Sequence, residues 1–345
     1  MPHPKNNRRA VAVVIPNWNR EEDLAACLHS LQAQSLSPDI IVVDNGSTDG
    51  SVARVQRDFP DVELIALAKN TGFAGGVNAG IRRAVEHGYE FVALMNNDAL
   101  ADKQWLGRLL AGIREKPRAG IATSKITDFA GKKLDSTGEF YTIWGLAFAR
   151  GRGEPADNRY DDHRDIFGAS GGASIFRIAM LKDIGLFDED FFAYYEDIDL
   201  SFRAQLHGWR VRFVPEAMVR HRIGATSQSI RGFTTYQTLK NLPLLCYKNV
   251  PLGSLPAVLP RLWLAYTLFF WSAVARGQGG AALRGWIASV LLTPKKLWQR
   301  SSIQKERTVP TAYIRELLVR DLPPGADRLR TVVNLLTLRQ NRNTK

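Results

Sequence analysis

The feature that most constrains this sequence is an alternation, over its first hundred residues, of short β-branched runs with segments of helical periodicity. The apolar runs are Val11–Ile15, Ile40–Val43, Val62–Leu67 and Phe91–Met95. In the first segment between runs, apolar residues recur at helical spacing at Leu24, Cys27, Leu28 and Leu31. Strands that alternate with helices predict right-handed βαβ units and a mostly parallel sheet. We therefore expect an α/β fold with helices flanking the sheet.

Polar residues beside these runs predict where the helices begin. Asn19 and Asp49 are the predicted N-caps of the first two helices. A third helix is predicted over Asn78–His87, with Gly88 in a position typical of a helix end.

The pattern changes after residue 120. Residues 120–165 are less regular and predict loops with an excursion of strands. Order returns over residues 166–222, which predict a helix from about Ile178 and a strand at Arg210–Val214.

Four polar segments follow the predicted strands: Asn17–Asn19, Asp44–Asp49, Asn70–Asn78 and Asn96–Asp98. In parallel sheets, ligands bind at the carboxyl ends of the strands. The sequence therefore predicts one ligand site where these segments converge.

Each of these segments has a second, purely structural interpretation. Asp44 either accepts the imide N–H of a uracil or thymine ring or belongs to a turn that caps its own helix. The glycines of Asn70–Asn78 either let the backbone approach a phosphate or form a tight loop. Asp98 either binds a divalent cation that bridges two phosphates or caps the predicted helix Trp105–Ile113.

A second group of candidates lies further along the chain. Glu196, Asp197 and Asp199 stand beside aromatic residues, where a carboxylate can act as a base. The first turn of a helix also attracts acids, so capping accounts for part of this cluster. His221 is a structural residue unless it faces Asp98.

Charge is distributed unevenly between two predicted regions. The net charge of +12 arises because residues 231–345 contain 18 basic and 4 acidic residues, against 28 and 30 in residues 1–230. We predict a catalytic domain over 1–230 and a basic helical region over 231–345. The basic excess predicts an anionic surface as partner.

The apolar stretch Leu262–Ala275 is rich in Trp, Tyr and Phe, and its 14 residues fall short of the roughly 20 of a spanning helix. We expect an in-plane attachment to anionic lipid, with a helical subdomain or a dimer interface as alternatives. The surrounding basic residues are Arg261, Arg276, Arg284, Lys295, Lys296, Arg300, Lys305 and Arg307.

Cellular location is predicted from the cysteines and the N-terminus. Cys27 and Cys246 do not make a disulfide framework, and Cys27 is expected to be a buried thiol. The N-terminus has no apolar signal region. We expect a cytoplasmic protein, peripheral on the inner face of the cell membrane.

Taken in order, seven segments of residues 10–230 resemble the family 2 glycosyltransferases of the GT-A fold, especially their rhamnosyltransferase-like branch. The segments are VAVVIPNWNR (11–20), IIVVDNGSTDGS (40–51), KNTGFAGGVNAGI (69–81), LMNNDA (94–99), FGASGGASIFR (167–177), GLFDEDFFAYYEDIDLSFRAQLHGWRV (185–211) and VRHRIGATS (219–227).

The resemblance implies a role for each matching position. Asp44 would recognise the base, Asp197 would deprotonate the acceptor hydroxyl, and Asp98 with His221 would bind Mg²⁺ or Mn²⁺. Asn96 stands where the family's Asp-x-Asp motif has its first acid, which removes one expected carboxylate. The implied nucleotide-sugar site comprises Asn17, Asp44, Asn45, Asn70, Gly72, Phe73, Gly76, Asn78, Asn96, Asn97, Asp98, Gly171, Gly172 and Glu196.

The resemblance also implies the reaction. We expect an inverting, metal-dependent transfer of a sugar, rhamnose from dTDP-rhamnose first and a UDP-sugar next, to a saccharide or lipid-linked saccharide. The Gln-x-x-Arg-Trp motif of processive synthases is absent, which favours one sugar per encounter.

Two other classes of protein fit the sequence less well. A sugar nucleotidyltransferase would need a glycine-rich loop with Arg and Lys near the N-terminus, where Asn17–Arg20 offers only Arg20. A nucleic-acid binder leaves the acid cluster unexplained, so nucleic acid is not expected as a partner. The sequence leaves the oligomeric state open.

Overall fold

The structure is a computed structural model that describes residues 10–222, 230–322, 326 and 329–331. The end of the 219–227 segment and the end of the basic region therefore lie outside the described residues. The strands are β1 (Val11–Asn17), β2 (Asp39–Asp44), β3 (Glu63–Ala66), β4 (Phe91–Met95), β5 (Ala99–Ala101), β6 (Ala119–Asp128), β7 (Leu134–Ser136), β8 (Glu139–Tyr141), β9 (Ala147–Ala149), β10 (Asp165–Ile166), β11 (Ala173–Arg177) and β12 (Arg210–His221). The helices are α1 (Glu21–Gln32), α2 (Ser51–Asp58), α3 (Gly72–Glu86), α4 (Trp105–Arg114), α5 (Ile178–Ile184), α6 (Glu196–Leu206), α7 (Phe233–Asn249), α8 (Leu255–Ala275), α9 (Gly279–Glu306) and α10 (Thr311–Leu317).

Ten of these strands form one sheet, in the order β10-β12-β6-β11-β4-β1-β2-β3, with β5 paired to β12 and β7 to β6. The strands β3, β2, β1 and β4 run parallel. The strand β11 lies antiparallel between β4 and β6, so the sheet is mixed. The predicted α/β fold, a central sheet flanked by helices, is confirmed.

The strand β1 shows why the apolar runs form the centre of this sheet. Its side chains alternate between two hydrophobic clusters, with Val13 and Ile15 on one face and Ala12 and Val14 on the other. All four are fully buried. Because helices cover both faces, the strand reads as a continuous apolar run.

The strand β6 begins the region 120–165, for which the sequence predicts loops with an excursion of strands, and it lies inside the main sheet. It is buried along most of its ten residues, although polar side chains interrupt its apolar pattern. Thr123 pairs with Ser174 at 2.8 Å between hydroxyl oxygens, and Lys125 pairs with Asp161 at 3.0 Å. Buried polar residues with hydrogen-bond or ion-pair partners interrupt the apolar pattern, so hydrophobic periodicity does not predict this strand.

The helix starts also differ from expectation. Asn19 does not cap α1; its side-chain oxygen accepts the N–H of Thr48, and Arg20 occupies the cap position. Gly50, and not Asp49, occupies the cap position of α2, although Asp49 accepts the N–H of Ser51 at 3.0 Å in the first turn. The helix α3 begins at Gly72, six residues before the predicted start, so most of the glycine-rich segment is helical.

The C-terminal helices share a hydrophobic core with the sheet region. Tyr141, Phe167 and Phe202 form a ring cluster that continues into α7, α8 and α10. Cys246 of α7 lies in this core, and Cys27 lies on the buried face of α1. Both thiols are free and buried, as expected for Cys27.

The helix α8 is longer than the apolar run predicted. It has 21 residues, because Pro256 lies in the first turn and Pro260 is accommodated inside the helix. Among the described residues, one stretch, Leu252–Ala275, is long and apolar enough to cross a membrane by length and composition alone, with a mean hydropathy of 1.3. The expectation that this segment is too short to span is therefore wrong.

Candidate active site

The candidate site lies at the switch point of the sheet, between the carboxyl ends of β1 and β4. The chain runs from β1 outward to β2 and β3 and then returns to β4 on the other side of β1. Asn17 ends β1, and its side-chain oxygen accepts a hydrogen bond from Asn97 at 2.7 Å. The Asn17 amide donates to Asp44 at 3.2 Å. Three of the strand ends are thus linked by side chains at the place where such folds bind ligands.

A cavity of about 760 Å³ opens at this edge of the sheet. Of the residues predicted for the site, it is lined by Asn17, Asn45, Asn70, Gly72, Phe73, Asn96, Asn97, Asp98, Gly171, Gly172, Glu196, Asp197 and His221. Asp44, Gly76 and Asn78 are not among its lining residues. Segments far apart in the sequence therefore meet around one volume, which lies within the usual size range of a small-molecule site.

The three residues outside the lining make structural contacts near it. Asp44 accepts the N–H of Ser47 at 3.0 Å. This contact belongs to the turn that was the structural alternative to base recognition. The Asn78 amide donates to the Phe187 carbonyl at 2.8 Å. A Cβ on Gly76 would lie 3.2 Å from the Asn45 amide, so this glycine allows α3 to approach the site closely.

Asn45 organises the start of α3. Its side-chain oxygen accepts the N–H and hydroxyl of Thr71, at 2.8 and 2.9 Å. Its amide donates to the Gly72 carbonyl at 2.8 Å. Gly72 has a φ of 76°, and a Cβ there would lie 2.4 Å from the carbonyl oxygen of Phe192. Glycine is therefore required for both backbone conformation and space.

Asp98 and His221 meet on one wall of the cavity. The strand β12 pairs with β5 so that His221 lies opposite Ala99, the neighbour of Asp98. The Nε2 atom of His221 is 3.1 Å from Oδ1 of Asp98, and its Nδ1 atom is 2.8 Å from Oδ2 of Asp135. Burial alone would lower the pKa of His221, but its hydrogen bonds to Asp135 and Asp98 raise that pKa to about 9.

This donor set fits a divalent cation that also binds a diphosphate. A carboxylate that orients the far nitrogen of a histidine ligand, as Asp135 does here, is the usual support of such a ligand. Across the described residues, no three or more His, Cys, Asp and Glu side chains could together hold a metal ion. Oxygen atoms of a bound diphosphate would complete the coordination, as is common for Mg²⁺.

The acid cluster lies across the cavity, at the start of α6. Oδ2 of Asp197 accepts the N–H of Gly171 at 3.1 Å. Burial raises the pKa of Asp197, although the N–H groups of Gly171 and Ile198 partly offset this rise. The buried Glu196 has a carboxylate oxygen without a hydrogen-bond partner in the described part of the chain, and burial with the nearby charge of Asp197 raises the pKa of Glu196 strongly.

Sequence reasoning missed a second set of lining residues. They are Trp18, Asp135, Glu139, Phe148, Arg152, Tyr194, Phe233 and Thr234, among others. Several come from the region around β7, β8 and β9, where no periodic pattern exists. Arg152 contacts Asp135 at 2.6 Å and so joins the support of His221. The remaining signal, a run of Asp, Ser, Thr and Gly at 135–138, is too general to identify a site.

The chain resembles several known proteins. It is 28% identical over 235 residues to an N-acetylglucosaminyl-diphospho-decaprenol L-rhamnosyltransferase of Mycobacterium tuberculosis, covering 61% of this chain and 75% of that protein. It is 25% identical over 255 residues to the dTDP-rhamnosyl transferase RfbF of Shigella flexneri, covering 70% and 82%. In fold it is similar to the mannosyltransferase PcManGT of Pyrobaculum calidifontis, solved with GDP-Man and Mn²⁺, with a TM-score of 0.51, 17% identity, and 90% and 89% of the two chains covered.

A family model described as Glycosyl transferase family 2 matches residues 12–185, half of the chain. The match includes the strands β1 to β4 and the residues after β1, β2 and β4 that line the cavity. The fold agrees with that of the solved mannosyltransferase. The chain is therefore a member of glycosyltransferase family 2, in its rhamnosyltransferase-like branch.

Proposed function

We propose that this enzyme transfers rhamnose from dTDP-rhamnose to a hydroxyl group of a saccharide or lipid-linked saccharide, one sugar at a time and with inversion. The observation that carries the proposal is one cavity with Asp98 and His221 on one wall and Asp197 on another. Two relatives named as rhamnosyl transferases support the donor. The diphospho-decaprenol in the name of the mycobacterial relative supports a lipid-linked acceptor.

We propose further that the enzyme depends on a divalent metal, Mg²⁺ or Mn²⁺. Asp98 and His221 would bind it, with Asp135 holding the histidine ring. When bound, the cation supplies Lewis-acid stabilisation of the negative charge that develops on the departing diphosphate. The Mn²⁺ found with a nucleotide sugar in the solved mannosyltransferase agrees with this proposal.

The chain's own residues would carry out the other parts of the reaction. Asp197 accepts the proton of the acceptor hydroxyl while its oxygen bonds to the anomeric carbon and the bond to the diphosphate breaks. One such displacement inverts the configuration at that carbon. Glu196 lines the cavity and belongs to the proposed nucleotide-sugar site, although the carboxylate oxygen that has no partner in the described residues is buried. Asp44 would recognise the base.

The donor assay is release of nucleoside diphosphate from a panel of dTDP-, UDP- and GDP-sugars, with an N-acetylglucosaminyl diphospholipid as acceptor. We expect dTDP-rhamnose to give the highest kcat/KM and the product linkage to be inverted by NMR. Preference for a UDP-sugar would replace the proposed donor, and a retained configuration would exclude Asp197 as base in a single displacement.

The metal assay uses Asp98→Ala and His221→Ala, with Asp61→Ala, an exposed acid outside the cavity, as control. We expect both site variants to lose turnover by several orders of magnitude and to bind dTDP with an affinity that no longer responds to Mn²⁺. The control should behave as the wild type. Full activity of the metal-stripped wild type in excess chelator would contradict the proposal.

We also propose that the C-terminal helices attach the enzyme to an anionic membrane surface on the cytoplasmic side. Most of the exposed large apolar side chains in the described residues lie on α8 and α9 or just before them; this apolar surface comprises Leu252, Trp263, Trp271, Val274, Leu283, Trp286, Ile287, Val290, Leu291, Leu297 and Trp298. One face of α8 is buried, at Val258, Leu262 and Ala265. A helix packed on the protein along one face favours attachment in the plane of the surface over spanning.

A further inference from the structure

The backbone just before Asp197 is strained. Phe192, Tyr194 and Tyr195 have φ values of 63°, 67° and 74°, in the left-handed region that bulky residues rarely adopt. Such a residue costs about 1–3 kcal/mol, and it persists only where the surroundings impose it. This segment, Phe192–Tyr195, leads directly into Glu196 and Asp197 at the start of α6. Its shape therefore sets where the acids point.

The surroundings that impose this shape belong to α7. Asn241 is fully buried, and its amide nitrogen lies 2.9, 3.0 and 2.8 Å from the carbonyl oxygens of Phe191, Ala193 and Tyr194. The adjacent Lys240 donates to the Phe191 carbonyl at 3.2 Å and to the carbonyl before it. Asn241 thus binds two carbonyls of the strained segment, and Lys240 binds the two carbonyls that precede it.

The amide of Asn241 supplies hydrogen-bond donors, but burying its side-chain oxygen is unfavourable. Its own side-chain oxygen is buried and has no partner among the described residues. A buried, unpaired oxygen is unfavourable by about 1–3 kcal/mol. Exchanging the oxygen and the nitrogen would place the oxygen against three carbonyl oxygens, so the orientation is fixed. A residue chosen for packing alone would not carry this unpaired group.

We propose that Asn241 is a positioning residue for catalysis: it holds the segment Phe192–Tyr195 so that Asp197 faces the acceptor hydroxyl. The inference rests on the proposed role of Asp197 as base. It gives the region after residue 231, beyond the 12–185 family match, an indirect part in the reaction. Asn241 touches no reacting atom and acts only through the segment that it binds.

The test compares Asn241→Leu with Asn249→Leu, because Asn249 is a fully buried amide of the same helix that binds Asp199 instead of the segment. We expect similar losses of Tm in the two variants. We expect kcat to fall ~10- to 100-fold in Asn241→Leu, the scale of a small misplacement of a reacting group. Affinity for dTDP with Mn²⁺, measured by calorimetry, should stay within about twofold of wild type, as expected of a loss confined to the transition state.

A double variant separates positioning from general damage. If Asn241 acts through Asp197, Asn241→Leu should cause little further loss in an Asp197→Asn background. If Asn241→Leu does not fold, Asn241→Ser, which keeps one donor, should show an intermediate kcat. Normal kcat in a folded Asn241 variant, or equal losses of kcat in the Asn249 control, would overturn the proposal. An active Asp197→Asn enzyme would instead overturn the proposed base.

Discussion

Asp197 and Asp199 stand two residues apart on α6, yet their surroundings differ in charge. Burial alone would raise the pKa of Asp199, but Lys248 and Arg203, at 2.8 and 2.9 Å, hold that pKa below its ordinary value. Asp197 has backbone N–H partners but no ion-pair partner within 4 Å in the described residues, and its pKa is raised. A permanently charged, paired carboxylate serves structure, whereas a partly buried one with a raised pKa suits proton transfer.

The raised pKa of Asp197 predicts an acid limb in the pH dependence of kcat/KM. A base must be unprotonated, so activity should fall as the pH drops through this pKa, above the ordinary value of 3.8 for an aspartate. Asp197→Asn should lose at least ~10²-fold in kcat, and its residual activity should lack the limb. Glu196→Gln should keep the limb. An unchanged limb in Asp197→Asn would assign it to another group.

Asp135 should matter through His221 alone. Asp135→Asn removes the carboxylate that holds Nδ1 of His221, so we expect the affinity for Mn²⁺ in the presence of dTDP to fall about 10- to 100-fold. Asp161→Asn, which breaks the ion pair with Lys125, is the control and should leave metal affinity unchanged. Equal affinities in the two variants would show that the histidine is oriented by other contacts.

Among the elements, α9 forms buried ion pairs with the segment that leads to the site. Its Lys296 is fully buried and reaches Asp188 at 2.5 Å and Asp190 at 2.7 Å. Lys248 of α7 also contacts Asp188, at 2.6 Å. These ion pairs fasten both C-terminal helices to the residues that precede the strained segment. Within the acid cluster predicted from the sequence, Asp199 also pairs with Lys248 of α7, at 2.8 Å, and so helps to attach that helix.

We expect Lys296→Met to destabilise the protein by about 3 kcal/mol or more, because it leaves buried carboxylates unpaired. Urea denaturation measures the change in the free energy of unfolding. Lys305→Met, at an exposed position of the same helix, is the control and should change it little. A loss no larger than in the control would mean that the buried pair contributes little.

The same variant should alter the dependence of stability on pH. Burial alone would raise the pKa of Asp188, but Lys248 and Lys296 lower it below the ordinary 3.8. A carboxylate with a depressed pKa in the folded state stabilises the protein above its unfolded pKa and loses that contribution as the pH falls. We therefore expect a smaller acid-dependent loss below about pH 4 in Lys296→Met than in wild type.

For the whole molecule, the C-terminal helices connect a proposed membrane surface to the cavity. Their inner face shares a core with α6, while α8 and α9 present the apolar surface outward. Not every basic residue predicted to meet lipid is free to do so. Lys296 is buried, and Arg300 donates to the Tyr247 carbonyl at 2.9 Å. Exposed positions such as Arg276, Arg284 and Lys305 remain on the surface, whereas the exposed Lys295 pairs with Asp190 at 2.7 Å.

Liposome flotation tests the membrane proposal with the full chain, since removing residues after 230 would expose the shared core. We expect binding to need anionic lipid, to weaken as salt rises, and to fall at least ~10-fold in Leu291→Ser/Trp298→Ser. Leu36→Ser, at an exposed apolar site away from α8 and α9, is the control. Salt-resistant binding to neutral vesicles would indicate insertion, and absence of binding to any vesicle would favour a subdomain or a dimer interface.

Much of the fold was predictable because it depends on local pattern. The runs at β1 to β4 are apolar on both faces. The polar residues at their carboxyl ends are consecutive in the sequence, as at Asn96–Asp98. The start of α3 was not predictable in this way, since a helix that begins with glycines depends on contacts with Asn45 and Phe192. Local propensity argues against such a start, and tertiary contacts override it.

Local pattern was enough to predict the parallel half of the sheet and the edge at which the site forms, because both follow from periodicity and from strand ends. Part of the cavity lining, such as Gly171 and Gly172, was predicted only through the family resemblance. Three features became known from the folded chain alone: Asp135 supports His221, β6 lies inside the sheet, and Asn241 binds the strained segment before Asp197. These contacts join residues 47 to 86 positions apart or depend on pairing between distant strands. No short-range pattern encodes them, because the partners become neighbours only when the chain has folded.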